Sequence, residues 1–241
     1  MSGELPRVAV LGAGKVGSAL ANLLTGAGYR VMVAASGAPE DFALVARVMM
    51  PDAVPAWAAD AAEASDVVVL AIPLHRLPTV DPAVLDGKIV VDAMNYWQPV
   101  NGTLEEFEDG ESGSSEIVQR ALPGATVVKT FGHLTYHELE GDRRPPGAPG
   151  RRAVAVVGPS DAAEVVAVMV DRIGFDPVLR SRLELGRALQ PGGPAFGTPM
   201  NRAELEAVLD RWEDESAPYA HRGEGPEPTE AGVAPSAPVG T

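Results

Sequence analysis

The sequence contains no cysteine. That removes disulfides, thiolate metal ligands and a cysteine nucleophile together, and it fits a reducing compartment. Basic residues are scarce: 19 Lys and Arg stand against 33 Asp and Glu, a formal net charge of −14 with no basic stripe to offset it. A field of that sign repels nucleic acid and anionic membrane surfaces. Neither is expected as a partner, and an anionic ligand has to be held by local donors. No apolar run approaches the length of a membrane span, and the opening MSGELPRVAVLG has neither the basic segment nor the apolar stretch of a secretory leader. A cytoplasmic protein is expected.

What is present is an alternation of short β-branched runs and alanine-rich helical stretches. RVAVLG, RVMVAAS, VVVLAIP and KIVVDAMN read as buried strands, near-continuous in apolar residues and bounded by turn residues. Between them KVGSALANLLTGAG, EDFALVARVMM, AADAAEAS and SSEIVQRAL read as helices, the last capped by Ser114 or Ser115. This predicts a Rossmann-type α/β fold, a doubly wound and mostly parallel sheet over residues 6–125. Residues 126–212 carry the strands TVVKTFGHL, AVAVVG and FDPVL, a helix capped by Ser160 or Asp161, and a small C-terminal helical element. They are expected to extend the sheet and to supply the substrate side. EGDRRPPGAPGRR reads as a flap or interface loop. Residues 213–241, acidic and rich in proline, are expected to form a disordered tail.

Gly12-Ala13-Gly14-Lys15-Val16-Gly17 fits G-x-G-x-x-G between the first strand and the first helix. In that place the first glycine makes the tight turn, the second admits a diphosphate to the backbone and the third lets helix pack on strand. A dinucleotide-binding turn is expected, its anion met by amides at the helix N-terminus. Enzymes that use NAD place an acid at the end of the second strand, whereas here Ala34-Ala35-Ser36-Gly37 precede any carboxylate. The gap leaves room for a 2'-phosphate, with Ser36 and the Gly37 amide as donors, and favours NADP(H).

LAIPLHR and DAMNYW should reach the carboxyl edge of the sheet, where ligands of such folds sit. Ile72 and Pro73 would line the nicotinamide side. His75 is either a proton donor or a solvated loop residue, and Asn95 either meets a ligand or caps a turn. His133 and His137 have the spacing of a helical metal pair, but the preceding strand pattern and the lack of a third ligand argue against metal. His133 is instead a candidate catalytic or substrate-contacting residue. No G-x-S-x-G elbow or acid pair suggests hydrolysis, and hydride transfer requires neither.

AVLGAGKVGSALA, VVVLAIPLH, KIVVDAMNYW, VVKTFGHLTYHELE and GFDPV followed by GRALQPGGPAFG together resemble the NADPH-dependent coenzyme F420 reductases, the F420H2:NADP oxidoreductases, of the actinobacterial type. The resemblance implies that Gly12, Gly14 and Gly17 hold the diphosphate and that Ser36 sits at the 2'-phosphate. It further implies that Ile72, Pro73 and His75 flank the nicotinamide, and that His133, Arg187 and Gln190 face the deazaflavin coenzyme F420. Two departures accompany it: Gly132 stands where relatives commonly carry an asparagine, and Gly37 stands where they carry an arginine. A homodimer acting on a small-molecule substrate is expected. Besides hydride transfer between NADP(H) and F420, two readings stay open: an NADPH-dependent reductase of an imine or carbonyl, and an NADP(H)-binding sensor without chemistry.

Overall fold

A computed structural model describes residues 5–108 and 112–216. Among these, eight strands form one sheet: β1 (Val8–Leu11), β2 (Val31–Ala34), β3 (Val54–Pro55), β4 (Val67–Leu70), β5 (Ile89–Asp92), β6 (Thr126–Lys129), β7 (Ala153–Val157) and β8 (Asp176–Arg180). Their order is β3-β2-β1-β4-β5-β6-β7-β8, parallel from β3 to β6 and again between β7 and β8, with an antiparallel junction between β6 and β7. The chain winds outward from β1 in one direction to β3, then returns to place β4 on the other side of β1. That reversal is the crevice where open α/β sheets bind ligands.

Strands β1, β4 and β5 are buried on both faces, which is why their sequences run apolar without alternation. Val8, Val10 and Val69 pack with helices α1 (Lys15–Gly26) and α8 (Ser160–Arg172) on one face. Ala9, Leu11 and Leu70 pack on the other face with α3 (Ala58–Glu63) and α6 (Ser114–Ala121). Helix α2 (Pro39–Met49) follows β2, and two short helices, α4 (Gln98–Asn101) and α5 (Glu105–Glu108), follow β5. Helix α7 (Tyr136–Gly141) lies in the connection to β7, and α9 (Arg202–Ser216) packs on β7 and β8.

Several local expectations are corrected. Strand β3, only two residues long, had no legible sequence pattern, and β2 recruits it through Met32 and Val33. The N-cap of α6 is Gly113 and not Ser114 or Ser115; the Glu116 carboxylate reaches back to accept from the Gly113 amide at 2.6 Å. Pro159, not Ser160 or Asp161, precedes α8. Helix α9 starts from Asn201 and Glu204, whose side chains accept from each other's amides, and it runs past Trp212 to Ser216. The expected tail lies outside the described residues from residue 217 onward.

The β6–β7 junction shapes the crevice. Its register is the single pair Lys129↔Val157, so residues 153–156 extend past the end of β6, beside the turn that follows it. Among the described residues no helix is long and apolar enough to cross a membrane.

Candidate functional site

The glycine turn is held open by close packing. Gly12 adopts φ +118°, a conformation that penalises any side chain, and a Cβ there would collide with the Ala71 carbonyl at the end of β4. A Cβ at Gly17 would collide with the Gly12 carbonyl. Both positions therefore exclude alanine on steric grounds. Gly14 caps α1 without any side-chain hydrogen bond to the first turn, which leaves those amides and the positive end of the helix dipole to a ligand. The Lys15 ammonium turns away to lie 5.0 Å over the Tyr136 ring. At this turn Lys15 and Val16 therefore offer backbone, not charge.

A cavity of about 830 Å³ opens from this turn. Gly12–Gly14 form one end; Ser36 and Gly37 at the end of β2, and Ile72 and Pro73 beyond β4, line its sides. Trp57 and Arg76 line it as well, and neither was singled out in the sequence. Trp57 enters from the start of α3, and Arg76 from a 3-10 helix over Leu74–Thr79. Their loops are separated along the chain and meet only because β3 and β4 flank β2 and β1 in the sheet. His75, on the same 3-10 helix, is exposed and does not line the cavity.

A second polar centre lies past the ends of β5 and β6. Asp92 and Lys129 end these strands as a register pair, both fully buried, with Lys129 Nζ 3.4 Å from Asp92 Oδ2. Lys129 also donates to the Met94 carbonyl, while Asp92 accepts from Ser115 Oγ at 2.6 Å and from the Met94 amide at 2.9 Å. Burial lowers the Lys129 pKa, with Asp92 opposing. This network fixes the chain at Met94 and so the position of Asn95, whose amide nitrogen donates to the Gly132 carbonyl.

Beyond Lys129 the chain makes a three-residue turn closed by Gly132 N–H to Thr130 O at 2.8 Å, with Phe131 at φ +62°. A non-glycine residue there is uncommon, and such strain persists only where the surroundings hold it. His133 follows, four residues past the strand end and not on the strand as expected, and only 3% exposed. Burial, with the positive charges of Arg152 and Lys129, pushes its pKa down to about 3, against a smaller opposing effect of Glu138. His133 is therefore a neutral imidazole near pH 7. Both of its ring nitrogens lack hydrogen-bond partners, as do Thr130 Oγ1 and Asn95 Oδ1. His137 sits apart in α7 against Tyr136, with ring centroids 3.9 Å apart. Among the described residues no group of three His, Asp or Glu is placed to hold a metal ion.

Gln190 and Arg187 approach from a 3-10 helix over Leu183–Leu189 and its end. Gln190 Nε2 donates to Ser114 Oγ at 2.6 Å, and both line a cavity of about 180 Å³ with Tyr96 and Phe107. Those two rings stack at 5.4 Å. Arg187 lies across Gly113, where a Cβ would stand 2.7 Å from its Cγ. Asn95, adjacent to Tyr96 in the chain, links the two polar groups.

The fold and part of the sequence are shared with known proteins. Residues 7–96 match the model of the family described as NADP oxidoreductase, coenzyme F420-dependent. A crystal structure of a hypothetical protein from Sinorhizobium meliloti is 32% identical, with a TM-score of 0.70, covering 81% of this chain and 95% of that one. A protein from Arthrobacter sp. FB24, whose description proposes an F420-dependent NADP reductase, is 24% identical with a TM-score of 0.64, covering 89% of this chain and 95% of that one. The rat metalloreductase STEAP3 is 25% identical over 193 residues, 78% of this chain and 36% of its own length, so the chain spans about a third of that relative. A chain that carries the NADP-binding turn on a doubly wound sheet, and matches the family from the start of β1 to beyond β5, belongs to the coenzyme F420-dependent NADP oxidoreductases.

Proposed function

We propose that the protein transfers hydride between NADP(H) and coenzyme F420. The observation that carries this reading is the set of buried polar atoms without partners, Asn95 Oδ1, Thr130 Oγ1 and both nitrogens of His133, in the segments that follow β5 and β6 at the carboxyl edge of the sheet. Buried polar groups are nearly always paired, and each orphan costs about 1–3 kcal/mol. Such a set at the carboxyl edge suits a ligand rich in carbonyl and N–H groups, as a deazaflavin is.

The residues present suit NADP(H). Amides of Gly14, Lys15 and Val16 meet the diphosphate, and Ser36 with Gly37 meets the 2'-phosphate. Trp57 and Arg76 flank the adenosine half of the cavity. Ile72 and Pro73 border the nicotinamide. When bound, the dinucleotide supplies the chemistry: two electrons and a hydrogen pass from nicotinamide C4 to the deazaflavin, which also takes up one proton. The chain's task is then positioning, because the two carbons have to be held at about 3–3.5 Å. Asn95 and neutral His133 hydrogen-bond the second substrate without adding charge. Tyr96 and Phe107 give an aromatic wall, and Arg187, exposed at its rim, attracts the anionic tail of F420.

A reductase of an imine or carbonyl is the second reading, favoured by Gly132, which offers no side chain of its own at the turn after β6 and leaves that place to Asn95. Mixing the protein with NADPH and F420 and following deazaflavin absorbance tests the first reading. Bleaching is expected; binding of NADPH with no loss of absorbance, while imines or carbonyls are reduced, would move the assignment to the second.

A further inference from the structure

Three segments on the substrate side meet at one buried ion pair. Asp92 and Lys129 end β5 and β6 side by side, and the ladder between these strands joins them without any help from side chains. A buried ion pair, moreover, adds little stability over an apolar pair of the same volume, because both charges have to leave water. What charge adds here is direction. Lys129 Nζ donates to Asp92 and to the Met94 carbonyl, and Asp92 accepts from the Met94 amide and from Ser115 Oγ. Both main-chain polar groups of Met94 are thereby tied, one residue before Asn95.

The same pair seats the 3-10 helix over Leu183–Leu189. Gly186 is buried against the Lys129 stem: a Cβ there would stand 3.2 Å from Lys129 Cγ and 3.3 Å from its Cβ. The next residue is Arg187. Gln190, at the end of the helix, donates to Ser114 Oγ, and Ser114 is adjacent in α6 to the Ser115 that binds Asp92. We propose that Asp92 and Lys129 are positioning residues for the second substrate: the pair holds Asn95 on one side and the helix of Arg187 and Gln190 on the other, so that these groups keep one arrangement. The proposal rests on the reading of those residues as the F420 side. Neither Asp92 nor Lys129 lines the cavity assigned to NADP(H), so the pair acts on the second substrate alone.

The experiment removes both charges at once, Asp92→Asn with Lys129→Met, which leaves no lone charge in the core and keeps an acceptor for the Met94 amide and Ser115. Kinetics with F420, calorimetry with NADPH and hydrogen exchange read by mass spectrometry are compared with the wild type. The kcat/KM for F420 is expected to fall at least about tenfold with NADPH affinity unchanged. Exchange should quicken over residues 94–97 and 183–190 but not over 12–26. Adding Asn95→Ala should then cost less than it does in the wild type, since the pair acts through Asn95. Gly186→Ala, which keeps the pair and lifts the helix off the Lys129 stem, should raise the KM for F420 at least about threefold and quicken exchange over 183–190. Unchanged exchange over both segments, an NADPH loss equal to the F420 loss, losses that simply multiply with Asn95→Ala, or a Gly186→Ala variant indistinguishable from the wild type would each overturn the proposal. A wild type that never passes hydride to F420, while exchange quickens as expected, would remove the F420 assignment and leave the positioning by the pair in place.

Discussion

The Asn95 side chain occupies the space into which a side chain at position 132 would project. Its amide nitrogen donates to the Gly132 carbonyl, and a Cβ on Gly132 would stand 3.1 Å from Asn95 Oδ1, 3.2 Å from Nδ2 and 3.1 Å from the Met94 carbonyl. Asn95 thus supplies, from beyond the end of β5, an amide beside the turn that follows β6. Gly132→Asn should therefore expel Asn95 and cost about 1–3 kcal/mol, the loss of a hydrogen bond plus overpacking. Asn95→Ala should relieve it: the double variant would unfold in urea at a higher midpoint than the sum of the single changes predicts.

Cofactor choice should depend on the far end of the large cavity. If the proposed 2'-phosphate site is at Ser36, Ser36→Asp places a carboxylate beside it and is expected to weaken NADPH binding by at least about tenfold while leaving NADH unchanged or improved. Arg76→Ala should weaken NADPH more than NADH. Calorimetric titration with both dinucleotides checks each substitution.

At the turn itself, Gly17→Ala drives a methyl group into the Gly12 carbonyl, which is backbone and cannot step aside. A loss of at least about 2 kcal/mol of stability is expected, with weakened NADPH binding, because α1 has to move off β1. Gly26→Ala, at the other end of α1 where a Cβ meets nothing within 4 Å, should be tolerated.

The buried imidazole predicts a pH signature. His133 has a native pKa of about 3, below the unfolded value near 6.5. Above pH 6.5 both states are neutral and the group contributes nothing to pH dependence. Between 6.5 and 3 the unfolded chain binds a proton that the native one refuses, so stability falls with pH by about 1.4 kcal/mol per unit. Glu138, whose partial burial is outweighed by hydrogen bonds from Thr135 and Arg152, titrates below its ordinary value and stays charged from pH 7 to 5. Denaturant unfolding at pH 7 and pH 5 should show about 2 kcal/mol more loss in the wild type than in His133→Gln.

The glycine turn was legible in the sequence because each glycine answers a local need, a positive φ or a close approach, that leaves its mark on residue type. The buried parallel strands were legible for the same reason. Strand β3 was not: Val54–Pro55 is a strand only because β2 lies beside it. Nor were Trp57 and Arg76, which belong to the cavity through the strand order and not through spacing along the chain. The charge of Arg152 reaches His133 from the start of β7, which runs antiparallel beside β6, and hydrophobic pattern does not encode strand direction. The caps at Gly113 and Pro159 were misplaced by one or two residues, since several small polar residues in succession could each have served.

The central claim, hydride passing directly between the two ligands in one crevice, is tested by isotope. NADPH carrying deuterium on the transferred face of the nicotinamide is mixed with the protein and F420, and the reduced deazaflavin is examined by mass spectrometry. Direct transfer predicts one deuterium retained on the deazaflavin, even in ordinary water, with retention unchanged in Arg187→Ala although more F420 is then needed. A reduced deazaflavin without the label, or NADPH that binds and is never oxidised by F420, would contradict it.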